Sequence, residues 1–562
     1  MFVPSPAEPV TSRTAGVIRE AIDPQRFPWI RPLVSAYSRD YARVAPLFAG
    51  DPSDPAVWRQ TISRVTRARH DRAAVHAALT RQLTERGAAR EAHTAANELA
   101  NPATVAVVTG QQAGLFGGPL YTLLKAITAI QVARNVREQY GVAAVPVFWV
   151  EIEDHDWAEV RSARVLDKDG APARVTATDP PGAGSLPVGK LTFDDSITGI
   201  VDKLGEVLAP TEFTKELLAS LRQRYRPGAH VGTAFAGWID DLLGRHGLVV
   251  FEADDPALKP LVADVFAREL KDRPTARLAR ESAAAMSALG HAPQVEPAED
   301  AVALFYLDGQ GRRPIRRRDD GYAVGDAGHS AAEFQAEALD HPERFSPNVL
   351  LRPIVQDRLF PTICYVAGPA ELAYQAQIGP LYREFGVEPP LLLSRASATL
   401  LDAGSARFLD KSGLPLESLQ PQDDAALNRL LEQQLSPAVE RTLADTNEWL
   451  SDRIGTLKDA VVPIDPTLAG AVETTVDKVR DTIKTLHNKV IQAAKRKDDT
   501  LRRQFVRTRA LVFPDGDPQE RALGVAFFIN RYGMALPDRL AETLPLGPGH
   551  LDKLDQHFVL TL

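Results

Sequence analysis

Two short segments of the chain concentrate side chains able to do acid–base and recognition chemistry. The first, EIEDHDW at 151–157, sets Glu151, Glu153, Asp154 and Asp156 around His155. Carboxylates this close repel one another unless a cation, an amine or an arginine sits among them. One histidine with carboxylates is a weak zinc signature and a fair magnesium one, and no metal ligand is assigned. The competing reading is a solvated acidic loop. The aromatic run VPVFWV before it and Trp157 after it point instead to partial burial.

The second segment, TGQQAGLFGGPLYT at 109–122, holds Gly110, Gly114, Gly117 and Gly118 within nine residues. Their spacing fits neither the P-loop nor the dinucleotide fingerprint. Glycines still allow close backbone approach, and a helix opened by Pro119 would favour an anion at its head. Gln111 and Gln112 add amide donors and acceptors. Ligand loop and plain β–α corner stand level on these residues alone. A third segment, 348–386, contributes Arg352, whose neighbour Pro353 predicts an extended backbone and a guanidinium free to grip a carboxylate or phosphate. Behind Gly368-Pro369, Glu371, Tyr374 and Gln377 drift along one polar helix face. A surface helix with a salt-bridged arginine is the alternative. The run Arg312, Arg313, Arg316, Arg317, Arg318 reads as a solvated hairpin, and His550 has no assignable partner.

These segments need a scaffold. VAVVT (105–109) is a short β-branched run bounded by Asn-Pro and Gly110, as suits a buried parallel strand. A helical stripe of Leu120, Leu123, Leu124, Ile127 and Ile130 follows, then VPVFWV (145–150). Strand, crossover helix and strand make a βαβ unit and therefore a parallel sheet. GLVVFEADDP (247–256) and PPLLLSRAS (389–397) read as further strands of that sheet. In such sheets ligands bind beyond the carboxyl ends of the strands, where both EIEDHDW and the glycine turn lie. Residues 1–100 are helical in pattern. Segments at about 160–200 and 290–345, the latter with a hairpin at Asp308-Gly309, read as antiparallel insertions into an α/β, doubly wound core.

The character changes near residue 421. Apolar residues from Leu435 through Val439 to Val461 recur at three- and four-residue steps. Val472, Val476, Val479, Ile483, Leu486 and Val490 then form a heptad seam. VVPIDPT (461–467) carries two prolines that a continuous helix would not tolerate. The expectation is an antiparallel helical hairpin about 60 Å long, which would leave faces for a second copy to cover. Three divisions result: a core at 1–420, an arm at 421–510, and a tail at 511–562 that returns to the core.

The chain has 562 residues, too many for one hydrophobic core. A net charge of −8 argues against a broad nucleic-acid surface. The start, MFVPSPAEPV, has no basic region followed by an apolar one, so no secretion signal is expected. No apolar run approaches the roughly 20 residues that span a bilayer. The single cysteine, Cys364, lies in the apolar FPTICYVAG and is expected to be a buried structural thiol. A cytoplasmic protein is the reading.

TGQQAGLFGGPLYT, VPVFWVEIEDHDWAEV and RPIVQDRLFPTICYVAGPAELAYQAQIGPLY, followed by the heptad hairpin and a tail with FPDGDPQER and NRYG, resemble the BshC family, to which the cysteine-ligase step of bacillithiol biosynthesis is ascribed. The likeness is collinear over nearly the whole chain. It implies a Rossmann-like core related to nucleotidyltransferases, with a coiled-coil arm through which two copies dimerise. It also implies the joining of cysteine to the amine of glucosaminyl-malate. For that reaction His155 is the candidate base, with Asp154 and Asp156 beside it and Glu153 holding the substrate ammonium. Gly110, Gln111, Gln112, Gly117, Gly118 and Tyr121 would cradle an anionic end. Arg352 or Arg395 would hold a carboxylate, with Glu371, Tyr374 and Gln377 as further substrate contacts. Asn530, Arg531 and Tyr532 are polar candidates for a cofactor contact near the junction of arm and tail. The family's fold kin commonly carry H-x-G-H for adenylate chemistry, and none of the twelve histidines forms such a pair. ATP, another nucleotide and a divalent metal all stay open as the activating partners. A non-catalytic nucleotide- or thiol-binding scaffold, recruiting partners through the coiled coil, is the alternative.

Overall fold

The computed structural model describes residues 16–433, 437–497, 499–546 and 555–562. The chain start, Leu435, the Val439 side chain and His550 lie outside the described residues. Two compact units emerge, one built from Met1–Leu400 with Gln519–Leu562, the other from Leu401–Pro518.

The first unit is organised by five parallel strands. They are β1 (Val105–Gln112), β2 (Ala144–Glu151), β3 (Val249–Glu252), β4 (Thr362–Ala367) and β5 (Leu391–Ser394). Their order across the sheet is β5-β4-β1-β2-β3, with every neighbouring pair parallel. This is the order of a doubly wound, Rossmann-like sheet. β1 is buried at every position from Val105 to Gly110, which explains why its sequence is continuously apolar rather than alternating. One face, carrying Ala106, Val108, Val145, Val147, Val249 and Phe251, packs on the helices Arg72–Arg86 and Arg90–Leu99. The helix α1 (Tyr121–Tyr140), almost wholly buried, packs on β1 and β2. Cys364 sits on β4 with no exposed surface, and burial pushes its thiol well above the usual range.

Antiparallel pieces surround this sheet. Ser162–Leu166 pairs with Pro172–Thr176, so strand pairing fills only the start of the segment expected at 160–200. The rest carries a short turn at Val188–Lys190 and the start of the helix Ser196–Val207. Ala301–Leu307 and Arg312–Arg318 form the hairpin expected at Asp308-Gly309, inside a five-stranded antiparallel sheet completed by Gly321–Val324, Ala327–Ser330 and Phe345–Pro347. The N-terminal strand Val17–Ile22 pairs with the tail strand His557–Thr561. That pairing spans the chain's ends, and no local sequence pattern announces it.

Arg352 corrects an expectation. It is not extended but opens the helix α2 (Arg352–Leu359), its N–H donating to the Asn348 carbonyl at 2.9 Å. Pro353 stands in the first helical turn, where a missing N–H costs no hydrogen bond.

The second unit is helical, with Pro437–Val461 and Leu468–Lys497 as its long elements. Lys458 pairs with Glu473, and Arg480 Nη2 donates to Ser451 Oγ at 3.2 Å. Val476 is buried in this unit, whereas Trp449 (61%), Ile464 (78%) and Leu486 (53%) are exposed.

Candidate active site

The strand order reverses between β1 and β4, and a cleft of about 320 Å³ opens beyond the carboxyl ends there. β1 delivers Gly110, Gln111 and Gln112 to it, and β2 delivers Trp149 and Glu151. β4 brings Tyr365, and the helix α3 (Pro369–Gln375) brings Glu371 and Tyr374. Arg352, Arg395, Lys125, Tyr121, Glu159 and Arg521 complete the walls. Gly110 must lack a side chain, because a Cβ there would stand 2.8 Å from the Trp149 carbonyl oxygen.

The cations of the cleft differ in how far they are neutralised. Lys125, on α1, is buried; its Nζ donates to the Gly110 carbonyl at 2.6 Å and pairs with Glu371 at 2.5 Å. Burial holds its ammonium below the ordinary lysine range although Glu371 pulls the other way. Glu371 also accepts from Tyr365 Oη at 2.6 Å and from the Gly368 N–H at 2.7 Å, and stays ionised. Arg395 donates to Glu520 at 2.6 Å and to the Ala396 carbonyl at 2.7 Å. Arg352 is different. Its nearest carboxylate, Glu151, is 3.9 Å away, and its other partners are neutral: Tyr374 Oη at 3.2 Å and Gln356 Oε1 at 3.1 Å. Trp149 and Tyr365 lie under the guanidinium, each ring centre at 5.8 Å. With a side chain only 11% exposed, this guanidinium has, among the described residues, one carboxylate at the outer edge of ion-pair range and none at hydrogen-bond distance, an arrangement that favours an incoming anion.

An acidic group, the rim, adjoins the cleft through Gln112; of its members Glu159 lines the cleft, whereas the expected catalytic residues Asp154 and His155 stand behind Gln112 and do not. Gln112 Nε2 donates to Asp154 Oδ2 at 3.2 Å. Glu159 lines the cleft, and burial raises its carboxyl pKa while Gln112 draws it down. His155 adjoins Asp154, with Nδ1 at 3.3 Å from Oδ1 and 3.4 Å from Arg312 Nη1. Arg312 is buried: it donates to Asp154 at 3.1 Å, to Ser346 Oγ at 3.1 Å and to the Pro347 carbonyl at 3.0 Å, and lies 3.6 Å over the Phe305 ring. The arginine that the crowded acids require is therefore this one. It corrects the reading of the whole basic run as a solvated hairpin, because its fork fills a buried acceptor set while Arg317 and Arg318 stay exposed.

Several expected site residues do other work. Glu153 is buried in an ion pair with Lys259, whose Nζ also donates to the Phe345 carbonyl at 3.0 Å, so it offers nothing to a ligand. Asp156 is exposed and caps the turn Trp157–Val160 by accepting from the Glu159 N–H at 3.1 Å. Gly117 and Gly118 lie against Trp238, Val525 and Thr122, and their positive φ angles of 95° and 67° explain the glycines. The Gly118 carbonyl accepts from the Val525 N–H at 2.8 Å, and the Leu120 N–H donates to the Leu523 carbonyl at 2.9 Å. The glycine corner thus docks the tail, and only its Gly110–Gln112 end and Tyr121 reach the cleft. Gln377 is fully buried and turned away, accepting from the Gln294 and Val295 N–H groups at 2.9 Å. Asn530 donates to the Ala209 carbonyl at 2.9 Å and accepts from Thr214 Oγ1 at 2.8 Å; neither it nor Arg531 and Tyr532 lines the cleft. Lys125, Glu151, Glu159, Tyr365 and Arg521 line the cleft without having been singled out for binding. For Lys125 a signal existed, since it follows Tyr121 by four residues on α1 and so shares its face.

A family model described as "Bacillithiol biosynthesis BshC, N-terminal Rossmann-like domain" matches residues 20–396, and one described as "Bacillithiol biosynthesis BshC, C-terminal coiled-coil domain" matches residues 398–550. Three curated relatives bear the printed name "Putative cysteine ligase BshC". The Salinibacter ruber protein is 33% identical, over 96% of this chain and 98% of its own length. The Chlorobaculum tepidum protein is 35% identical over 80% and 82%, and the Symbiobacterium thermophilum protein 34% identical over 92% and 96%. Two domain models in register and relatives matched nearly end to end place this chain in the BshC family of bacillithiol biosynthesis.

Proposed function

We propose that this chain is a carbon–nitrogen ligase that joins the carboxyl group of cysteine to the amine of glucosaminyl-malate, the last step of bacillithiol biosynthesis. Family membership supports the reaction class. The observation that carries the site is Arg352, a buried guanidinium aimed at the cleft with its nearest carboxylate 3.9 Å away. A carboxylate in the cleft would complete its pairing, while Glu159 and Asp154 on the acidic rim hold the ammonium of the partner substrate. The ammonium first gives a proton to the base; the freed amine nitrogen then attacks the activated carboxyl carbon, the activating group departs with its bonding electron pair, and the nitrogen loses a second proton. His155 is the base in this reading, in the tautomer whose Nδ1–H faces Asp154 and leaves Nε2 to take the proton. Gln112 bridges the rim to the end of β1.

The parallel strand order supports a nucleotidyltransferase-like core at 1–420. The contacts Lys458–Glu473 and Arg480–Ser451 support reading the arm, 421–510, as an antiparallel coiled-coil hairpin. Exposed Trp449 and Leu486 support association of two copies along it. The tail, 511–562, returns to the core in this scheme, its residues from Gln519 onward belonging to the first unit. Among the described residues no helix is long and apolar enough to cross a membrane, which fits work on small molecules in the cytoplasm. Incubating the purified chain with glucosaminyl-malate, cysteine and ATP, then weighing the products by mass spectrometry, tests the reaction. A ligated thiol is expected; unchanged substrates would remove the proposal.

A further inference from the structure

We propose that Asp357 is a positioning residue for the cleft, fixing the Arg352 guanidinium through the amide of Gln356. This rests on the reading of Arg352 as the carboxylate-binding group. All three residues stand on α2, with Gln356 one turn beyond Arg352, and Gln356 and Asp357 are buried at 0% and 3% exposure. Gln356 Nε2 donates to Asp357 Oδ1 at 2.8 Å, and its Oε1 accepts from Arg352 Nη1 at 3.1 Å. The other Asp357 oxygen accepts from Tyr382 Oη at 2.7 Å.

The chemistry of the chain of bonds sets its direction. An amide can present either its oxygen or its nitrogen to a neighbour, and a guanidinium can only donate. An ionised carboxylate can only accept, so Asp357 forces the Gln356 nitrogen toward itself and the oxygen toward Arg352. Without that constraint the amide can turn and meet the guanidinium donor to donor. Burial draws the Asp357 carboxyl up to about 6, while Tyr382, Thr362, Gln356 and Arg352 all favour its ionised form. Both oxygens accept, one from Gln356 and one from Tyr382, as an ionised carboxylate does, and the group never reaches the cleft itself, as the cleft-lining residues do not include it.

Three variants test this: Asp357→Asn, Gln356→Met and the two combined. Steady-state ligation measures kcat and KM, and calorimetric titration of glucosaminyl-malate and of L-cysteine measures binding without turnover. Asp357→Asn and Gln356→Met are each expected to raise KM and Kd for one of the two carboxylate substrates about tenfold, with kcat within about twofold. The combined variant is expected to lose no more than the worse single one, because both act along one route. If Asp357→Asn does not fold, Gln356→Met carries the test alone. Unchanged KM and Kd in folded Gln356→Met, or additive losses in the combined variant, would overturn the relay. A wild-type chain that makes no ligated product would instead strike the ligase reading beneath it.

Discussion

Glu371→Gln is expected to destabilise the floor of the cleft by about 3 kcal/mol, and the figure follows from three hydrogen bonds. Glu371 accepts from Lys125 Nζ at 2.5 Å, Tyr365 Oη at 2.6 Å and the Gly368 N–H at 2.7 Å. Glutamine offers one oxygen to these three donors. Tyr365 can rotate its hydroxyl to accept from the new amide, but Lys125 cannot accept at all. Its ammonium, on a side chain 3% exposed, would keep only Gly110 O at 2.6 Å and Gln111 Oε1 at 3.3 Å. Removing one partner of a buried pair costs about 3–5 kcal/mol. The low end applies because Glu371 is 19% exposed and two neutral acceptors remain. Urea unfolding followed by tryptophan fluorescence reads the loss. The sign of its pH dependence is fixed as well. Burial already holds Lys125 below its ordinary range, and losing Glu371 lowers it further. A base whose folded pKa lies below its unfolded value binds fewer protons when folded, so stability rises with pH between the two. The deficit should therefore shrink from pH 7 toward pH 10, and Lys125→Met combined with Glu371→Gln should recover most of it at pH 7. A deficit under about 0.5 kcal/mol, or a double variant as unstable as the single, would refute the reasoning.

Other outcomes follow from the same geometry. His155→Ala and Gln112→Ala should each remove most ligase turnover while circular dichroism melting stays near wild type; full activity in both would displace the proposed rim chemistry. Buried His557, held between Ser397 Oγ at 2.7 Å and Thr399 Oγ1 at 2.9 Å, has its pKa drawn down to about 4 by burial. The unfolded chain takes up that proton first as pH falls through 6.5, so this residue costs about 2 kcal/mol of stability between pH 7 and pH 5. His557→Gln should flatten that part of the wild-type slope in urea midpoints, and an identical slope would contradict the assignment. On the arm, Val479→Glu with Ile483→Glu should lower the mass seen by light scattering, and an unchanged mass would count against association along that seam.

Much of the sheet was legible because parallel strands buried on both faces read as apolar β-branched runs; VAVVT, VPVFWV and LVVF each mark one. β4 carries no such mark because Thr362, Cys364 and Tyr365 interrupt the aliphatic run, although FPTICYVAG as a whole reads as apolar. The cleft's address at the strand ends was also readable, since EIEDHDW and Gly110–Gln112 directly end β2 and β1. What sequence could not show is which charges are already spent. Glu153 and Asp154 are neighbours in the chain, yet one turns inward to Lys259 and the other outward to Gln112. Lys259 is 106 residues from Glu153, and Arg312 is 158 from Asp154. Pairings over such distances are decided by tertiary packing and leave no local spacing to read. The glycine corner failed for a related reason: its positive-φ residues serve the docking of Leu523–Val525, a segment some 400 residues later.

The central claim, that the cleft at the β1–β4 switch point forms an amide between cysteine and an amino sugar conjugate, is tested most directly by following the bond itself. Glucosaminyl-malate labelled with nitrogen-15 at its amine, supplied with cysteine and ATP, should show its amine signal converting to an amide N–H signal by NMR with the wild-type chain. With Arg352→Gln of equal thermal stability, conversion should fall at least about tenfold. No amide signal from the wild-type chain, or equal rates from both proteins, would contradict the account.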